Sequence, residues 1–174
     1  MLASTETIRA VAEALGERQV GRLVIDPVMI ATTGAELLPP EALRELRARV
    51  LPLATVVTPN IPEAMMLLSD AGLGRDGALE SVADLEAMAR SLLSLGSEWV
   101  LVKGGHAPLK GDYSIAETDE ERQIVVDVLC GKDGIVRIET GYQASRNTHG
   151  TGCSLACESR PALFAHGTVS IRPH

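Results

Sequence analysis

The chain has 174 residues, 45% of them hydrophobic and 22% charged, which is enough apolar sequence to bury the core of one soluble domain. Its net charge of −7 argues against nucleic acid and anionic membranes as partners, because both select proteins with a face rich in Lys and Arg. Three cysteines are too few for a disulfide framework, and the N-terminal segment lacks the unbroken apolar run of a signal peptide or membrane span, so we expect a cytosolic protein.

The first part of the chain alternates between helical and strand patterns. Apolar residues recur every three to four positions over residues 4–15, which predicts a one-sided surface helix. The β-branched run at residues 22–27 predicts a buried parallel strand, and two prolines open a predicted helix over residues 39–50. A second buried strand is predicted over residues 54–58, and a helix begins after it at Ile61.

The second part continues this alternation and then changes character. A capping pair opens a predicted helix over residues 81–95, and residues 99–103 form a third buried strand that ends in a Gly-Gly-His turn. Two β-rich runs, residues 123–129 and 135–140, flank a turn and predict a hairpin. We therefore predict an α/β fold: a mostly parallel sheet with helices on both faces, a C-terminal β-hairpin, and binding sites at the carboxyl ends of the strands.

Polar residues follow all three predicted parallel strands. Asp26 ends the first, Asn60 and Glu63 follow the second, and Lys103 ends the third, so these side chains should gather at one edge of the sheet. Carboxylates that hold Mg²⁺ through water and an ammonium that neutralises phosphate oxygens suit a nucleotide. Other interpretations stay open: Asn60 with Glu63 is also a helix capping box, Asp26 can start a turn, and a lysine at a strand end is commonly solvated.

A glycine-rich turn near the C-terminus gives the stronger signal. In Gly150-Thr151-Gly152-Cys153, successive backbone N–H groups at a helix start can form an anion hole for phosphoryl oxygens. A helix N-terminus would lower the pKa of Cys153, which could then act as a base or polar contact to an attacking hydroxyl. The alternative is an ordinary turn followed by a small core cysteine. The sequence has no Walker A motif and no GxGxxG after a strand, which disfavours P-loop and Rossmann proteins.

Four motifs occur together and in a fixed order: DPVM from Asp26, TPNIPEA from Thr58, VKGGH from Val102 and NTHGTGC from Asn147. In this combination the chain resembles the hydroxymethylpyrimidine/phosphomethylpyrimidine kinases of thiamine biosynthesis, which belong to the ribokinase-like superfamily. The resemblance extends from Met1 to about Leu155. It implies ATP-dependent phosphorylation of 4-amino-5-hydroxymethyl-2-methylpyrimidine, and then of its monophosphate, on a ribokinase-like sheet.

The resemblance also implies roles for individual residues. By position, Cys153 matches the catalytic residue, and Gly150, Thr151 and Gly152 match the anion hole, with Thr151 also on the nucleotide. The Mg-phosphate region and the ATP-phosphate lysine match, in chain order, Asp26, Asn60, Glu63 and Lys103. The implied cofactors are ATP and Mg²⁺, with Asp26 and Glu63 as metal ligands through water. The implied partner is a small pyrimidine, and homo-oligomer formation is left open.

Two departures from the family bear on activity. The family begins with a glycine- and serine-rich segment that contacts the pyrimidine, and no such segment is found in this sequence. We expect residues 1–155 to form a partial kinase domain and residues 156–174 to form a divergent, poorly ordered tail, because Pro161 would break the family's C-terminal helix. Two alternatives therefore stay open: a catalytically inactive fragment that at most binds nucleotide, and a pyridoxal-kinase-like relative.

Overall fold

The computed structural model describes residues 4–18, 20–30 and 37–144. The strands of this part form a five-stranded sheet, made of β1 (Val24–Ile25), β2 (Val56–Val57), β3 (Trp99–Val102), β4 (Ile124–Gly131) and β5 (Gly134–Gly141). They lie across the sheet in chain order. β1, β2 and β3 are parallel, whereas β3 with β4 and β4 with β5 are antiparallel. The sheet is therefore mixed, and the predicted α/β fold with parallel strands followed by a hairpin is confirmed.

Four α-helices accompany these strands: α1 (Thr5–Glu17), α2 (Pro40–Glu45), α3 (Ile61–Asp70) and α4 (Val82–Leu93). The helix predicted over residues 39–50 remains helical to its end, but its last turn, Leu46–Val50, is a π-helix followed by a 3₁₀ turn at Leu51–Leu53. Pro52 lies in that 3₁₀ turn, and it cannot donate the backbone hydrogen bond that would extend an α-helix. None of the described helices is long and apolar enough to cross a membrane.

Helix α4 holds the central strands in the core. Contacts run from α1 to α2, from α2 to α3 and from α3 to α4, and α4 rests on β3 and β4. Its buried stripe is the one that the 3.6-residue period predicts, and it consists of Val82, Leu85, Met88, Ala89 and Leu92. Each large apolar side chain buried in this way contributes about 1.5–3 kcal/mol. This packing holds β3 in place, and the carboxyl end of β3 carries Lys103 of the predicted site.

Candidate functional site

Three strand ends bring an ammonium, a carboxylate and a hydroxyl together. The Lys103 Nζ donates to Asp26 Oδ1 at 2.8 Å, and the Thr58 hydroxyl donates to the same oxygen at 3.1 Å. The side chains of the ion pair are only 16% (Lys103) and 13% (Asp26) exposed. Asp26 follows Ile25, which packs against the apolar core, and Thr58 and Lys103 each follow a residue of that core. Because side chains alternate along a strand, the three lie on the opposite face of the sheet. The structure thus unites Asp26 and Lys103, as their positions after parallel strands predicted.

Thr58 is a member of this cluster that the sequence interpretation did not single out. Its side chain is fully buried, with 0% exposure. A buried hydroxyl needs a hydrogen-bond partner, and Asp26 supplies one. The available signal was its place in the chain, since Thr58 ends a strand in the same way as Asp26 and Lys103 do.

Asn60 and Glu63 form a capping box at the start of α3. The Glu63 N–H donates to Asn60 Oδ1 at 2.9 Å, and the Asn60 N–H donates to the Glu63 carboxylate at 2.8 Å. The capping box, which the sequence left open as an alternative, is therefore present in the structure. Asn60 also forms a parallel bridge with Lys103, so the cap is attached to the end of β3.

Glu63 is a buried carboxyl beside charged groups. Glu63 is 3% exposed, and this burial raises the pKa of its carboxyl group. The Asn60 N–H and the Lys103 ammonium lower the same pKa. Asp26 raises the pKa of Glu63 further, because two nearby carboxylates repel each other. Glu63 therefore combines a structural bond to the helix cap with an electrostatic link to the Lys103–Asp26 pair.

Asp127 on β4 is a further polar residue at this edge. Its Oδ1 accepts the Gly104 N–H at 2.7 Å, directly after Lys103. Burial raises the pKa of Asp127, and the Gly104 N–H and the Lys103 ammonium oppose that shift. The sequence interpretation assigned this segment to a hairpin and overlooked the single acid in an otherwise apolar run, which was the available signal.

The Gly-Gly-His turn after β3 is present as a 3₁₀ turn, Gly104–His106. A Cβ atom on Gly104 would lie 2.0 Å from the Val126 carbonyl oxygen, so no other residue fits there without a shift of the backbone. His106 is exposed to solvent on one side, and partial desolvation followed by the charge of Lys103 lowers its pKa. The turn therefore places the His106 imidazole in the electrostatic field of the Lys103 ammonium.

The carboxylates at this edge suit a metal ion that is held jointly by the protein and a bound phosphate, rather than by protein side chains alone. Within the described ranges, no group of three or more His, Cys, Asp or Glu side chains is arranged to hold a metal ion. Mg²⁺ is usually held by one or two carboxylates together with water and substrate phosphates. Asp26 and Glu63 are compatible with that pattern, since a bound phosphate would complete the ligand set.

The predicted catalytic turn lies elsewhere in the chain. Gly150, Thr151, Gly152 and Cys153, together with residues 156–174, lie outside the described residues.

In the described part, a cleft of about 490 Å³ opens between α3 and α4, where Arg75 and Asp84 form a 2.7 Å ion pair. The residues lining this cleft include none of the strand-end cluster. The cleft is therefore separate from the edge of the sheet where the sequence predicted nucleotide binding.

Comparison with known proteins identifies the family. The phosphomethylpyrimidine kinase family model matches residues 1–166. A hydroxymethylpyrimidine/phosphomethylpyrimidine kinase of Rhizobium meliloti is 40% identical over 157 residues, covering 90% of this chain and 51% of that protein. A putative kinase of the same description from Schizosaccharomyces pombe is 38% identical over 156 residues, covering 90% of this chain and 28% of that protein.

Solved structures agree with the fold. An ADP complex of Bacillus subtilis pyridoxal kinase matches with a TM-score of 0.73 and 31% identity, over 97% of this chain and 56% of that one. A phosphomethylpyrimidine kinase from Clostridium difficile matches with a TM-score of 0.59 and 28% identity, over 94% of this chain and 66% of that one. The chain spans about half the length of the bacterial relatives it matches. With its motifs, sheet and sequence similarity taken together, this chain belongs to the phosphomethylpyrimidine kinase family.

Proposed function

We propose that this chain acts as an ATP-dependent kinase that phosphorylates 4-amino-5-hydroxymethyl-2-methylpyrimidine and its monophosphate in thiamine diphosphate biosynthesis, and that the strand-end cluster is its nucleotide side. The observation that carries the proposal is the largely buried Lys103–Asp26 pair at the carboxyl ends of the parallel strands. Ligands of open α/β sheets bind at that edge, and a held ammonium there is suited to phosphate oxygens. The descriptions of the bacterial relatives as hydroxymethylpyrimidine/phosphomethylpyrimidine kinases support the substrate class.

In this proposal, Lys103 binds the phosphate oxygens of ATP and Asp26 keeps its ammonium in position. Asp26 and Glu63 would hold Mg²⁺ through water, and the bound ion would neutralise charge on the phosphate oxygens. Glu63 also fixes the start of α3 through Asn60, so the loop between β2 and α3 stays in register with Lys103. Support for a nucleotide comes from the similar pyridoxal kinase of Bacillus subtilis, whose structure is an ADP complex.

The proposed phosphoryl-transfer side comes from the Gly150–Cys153 motif. The backbone N–H groups of Gly150, Thr151 and Gly152 would stabilise negative charge on the transferred phosphoryl oxygens. Cys153 would accept the proton of the attacking substrate hydroxyl or hydrogen-bond to it. These roles rest on the motif and on family membership.

Pyridoxal is the second candidate substrate. The pyridoxal kinase of Bacillus subtilis has a higher TM-score, 0.73, than the 0.59 of the Clostridium difficile phosphomethylpyrimidine kinase, and its identity of 31% exceeds 28%. The third function is the alternative that the sequence left open, a chain that binds nucleotide without turnover.

One assay separates these three functions. The purified chain is incubated with ATP, Mg²⁺ and either hydroxymethylpyrimidine, its monophosphate or pyridoxal, and ADP release is measured against a Cys153→Ala control. Turnover of the pyrimidines above that control is the expected result. Turnover of pyridoxal alone would favour the second candidate. Nucleotide binding without turnover of any acceptor would overturn the kinase proposal for this chain and leave nucleotide binding as its activity.

A further inference from the structure

We propose that Asp127 is a positioning residue for Lys103: it accepts the Gly104 N–H and thereby fixes the point at which the chain leaves β3. The direction of the Lys103 ammonium toward Asp26 follows from that fixed exit. This inference rests on the proposed nucleotide site, because Lys103 is the group that would meet the phosphates.

The strand register shows that the Asp127 side chain accepts a hydrogen bond where the regular pairing of β3 and β4 ends. β3 and β4 pair regularly as far as Val102 and Val128. Continued by one and then two residues, the same register would place Lys103 opposite Asp127 and Gly104 opposite Val126. The Gly104 N–H instead donates to the Asp127 carboxylate, at 2.7 Å. The side chain of Asp127 thus replaces a backbone partner at the position where β3 turns away into the 3₁₀ turn.

The backbone on either side of the Lys103 side chain is consequently held by two neighbouring strands. The Lys103 N–H donates to the Pro59 carbonyl at 2.9 Å, on the β2 side. The next N–H along the chain, that of Gly104, is held by Asp127 on the β4 side. Since consecutive N–H groups are bound in opposite directions, rotation of the Lys103 backbone would break one of these two bonds.

The Asp127 carboxylate binds Gly104, while the ammonium of Lys103 pairs with a different carboxylate. Lys103 lies in the electrostatic field of Asp26, Glu63 and Asp127, but its ion pair in the described residues is with Asp26. Asp127 is directed to Gly104, with one oxygen engaged by that N–H. An acid directed in this way supports the position of Lys103 without competing for its charge.

The test compares variants that separate the hydrogen bond from the charge. Asp127→Asn keeps an oxygen that can accept the Gly104 N–H, whereas Asp127→Ala removes it, and Asp127→Val removes it with a β-branched residue that suits a strand. Asp133→Ala, in the exposed turn between β4 and β5, is the matched control. Melting curves identify which variants keep the wild-type transition.

Two readouts are collected for the variants that fold. The first is the rate at which trinitrobenzenesulfonate labels Lys103, followed by peptide mass spectrometry without any nucleotide. The second is the Kd for a fluorescent ATP analogue with Mg²⁺. We expect faster labelling and a Kd raised about tenfold in Asp127→Ala and Asp127→Val, and values close to wild type in Asp127→Asn and Asp133→Ala.

Every outcome decides the proposal. Equal effects of Asp127→Asn and Asp127→Ala would show that the charge matters rather than the position, and unchanged labelling in both Asp127→Ala and Asp127→Val would also overturn the proposal. If wild-type protein binds no nucleotide, the proposed function fails, but the labelling rate of Lys103 still decides whether Asp127 positions it.

Discussion

At the scale of single residues, the site depends on one oxygen atom. Asp26 Oδ1 accepts hydrogen bonds from both Lys103 and Thr58, so a substitution of Asp26 leaves two donors without their partner. The ion pair is largely removed from solvent, and the loss of one member of such a pair leaves an uncompensated charge. Asp26 is therefore expected to matter for stability as well as for ligand binding.

A double-mutant cycle tests this expectation. Asp26→Asn and Lys103→Met should each destabilise the fold, Asp26→Asn by about 1–3 kcal/mol, because each removes one charge of a largely buried ion pair and leaves the other uncompensated. The double variant should be less destabilised than the sum of the two, since it removes both charges. Urea unfolding of wild type and the three variants gives the four free energies of the cycle. Simple additivity would mean that the pair contributes no coupling.

Glu63 makes stability depend on pH in a defined direction. Burial raises its pKa, so the folded protein keeps the Glu63 proton to a higher pH than the unfolded chain does. Its contribution to stability is therefore full below the ordinary glutamate pKa and is lost as the pH rises through the folded value.

The matched variant is Glu63→Gln, which keeps an oxygen for the Asn60 N–H but cannot ionise. We expect it to be at least as stable as wild type at pH 7, with an advantage that shrinks as the pH falls through the raised pKa of folded Glu63 and levels off below the ordinary glutamate pKa. Urea unfolding at several pH values measures the difference. A difference that stays constant with pH would argue against a raised pKa of Glu63.

At the scale of elements, the sequence predicted the type of each secondary-structure element better than its length. Strand β3 and helix α4 match their predictions closely, because a continuous apolar run and a capping pair mark their limits. The strand predicted over residues 22–27 pairs only through Val24–Ile25, which has a single neighbour, β2, in the described sheet. Strand pairing is a property of two segments, so one segment's hydrophobic pattern does not set its length.

In the candidate site, too, some residues were predictable from the sequence and others were not. Asp26 and Lys103 were predictable because the ends of parallel strands meet at one edge. Asp127 was not predicted, because it lies on an antiparallel strand and its importance comes from one hydrogen bond to a turn 23 positions away. The periodicity of a strand reports which face a residue occupies, and it carries no information about such a partner.

The junction between β3 and its turn gives a prediction at this scale. Gly104→Ala should destabilise the fold by about 1–3 kcal/mol, because its Cβ would lie 2.0 Å from the Val126 oxygen. Gly105→Ala is the control, since no heavy atom lies within 4 Å of a Cβ there, and we expect a change within about 0.5 kcal/mol. Chemical denaturation of both variants measures the contrast, and equal effects would contradict it.

At the scale of the molecule, ligand binding and folding should be coupled. A ligand that binds only the folded state stabilises it by about 2.7 kcal/mol at 100 times its Kd. We expect ATP with Mg²⁺ to raise the melting temperature of wild-type protein, and the rise to be much smaller in Lys103→Met. Thermal melts at increasing nucleotide concentration measure this, and identical shifts in both proteins would exclude Lys103 from the binding site.

The Lys103–Asp26 pair also bears on how the chain reaches its folded state. Its two members are 77 positions apart, and β2 lies between their strands. Contacts of such long sequence separation are costly in chain entropy and are characteristic of slow folding. The ammonium therefore has its partner only after both connections between the parallel strands are in place. Protection of Lys103 from labelling would serve as a late marker of refolding, at a time after helix formation is complete.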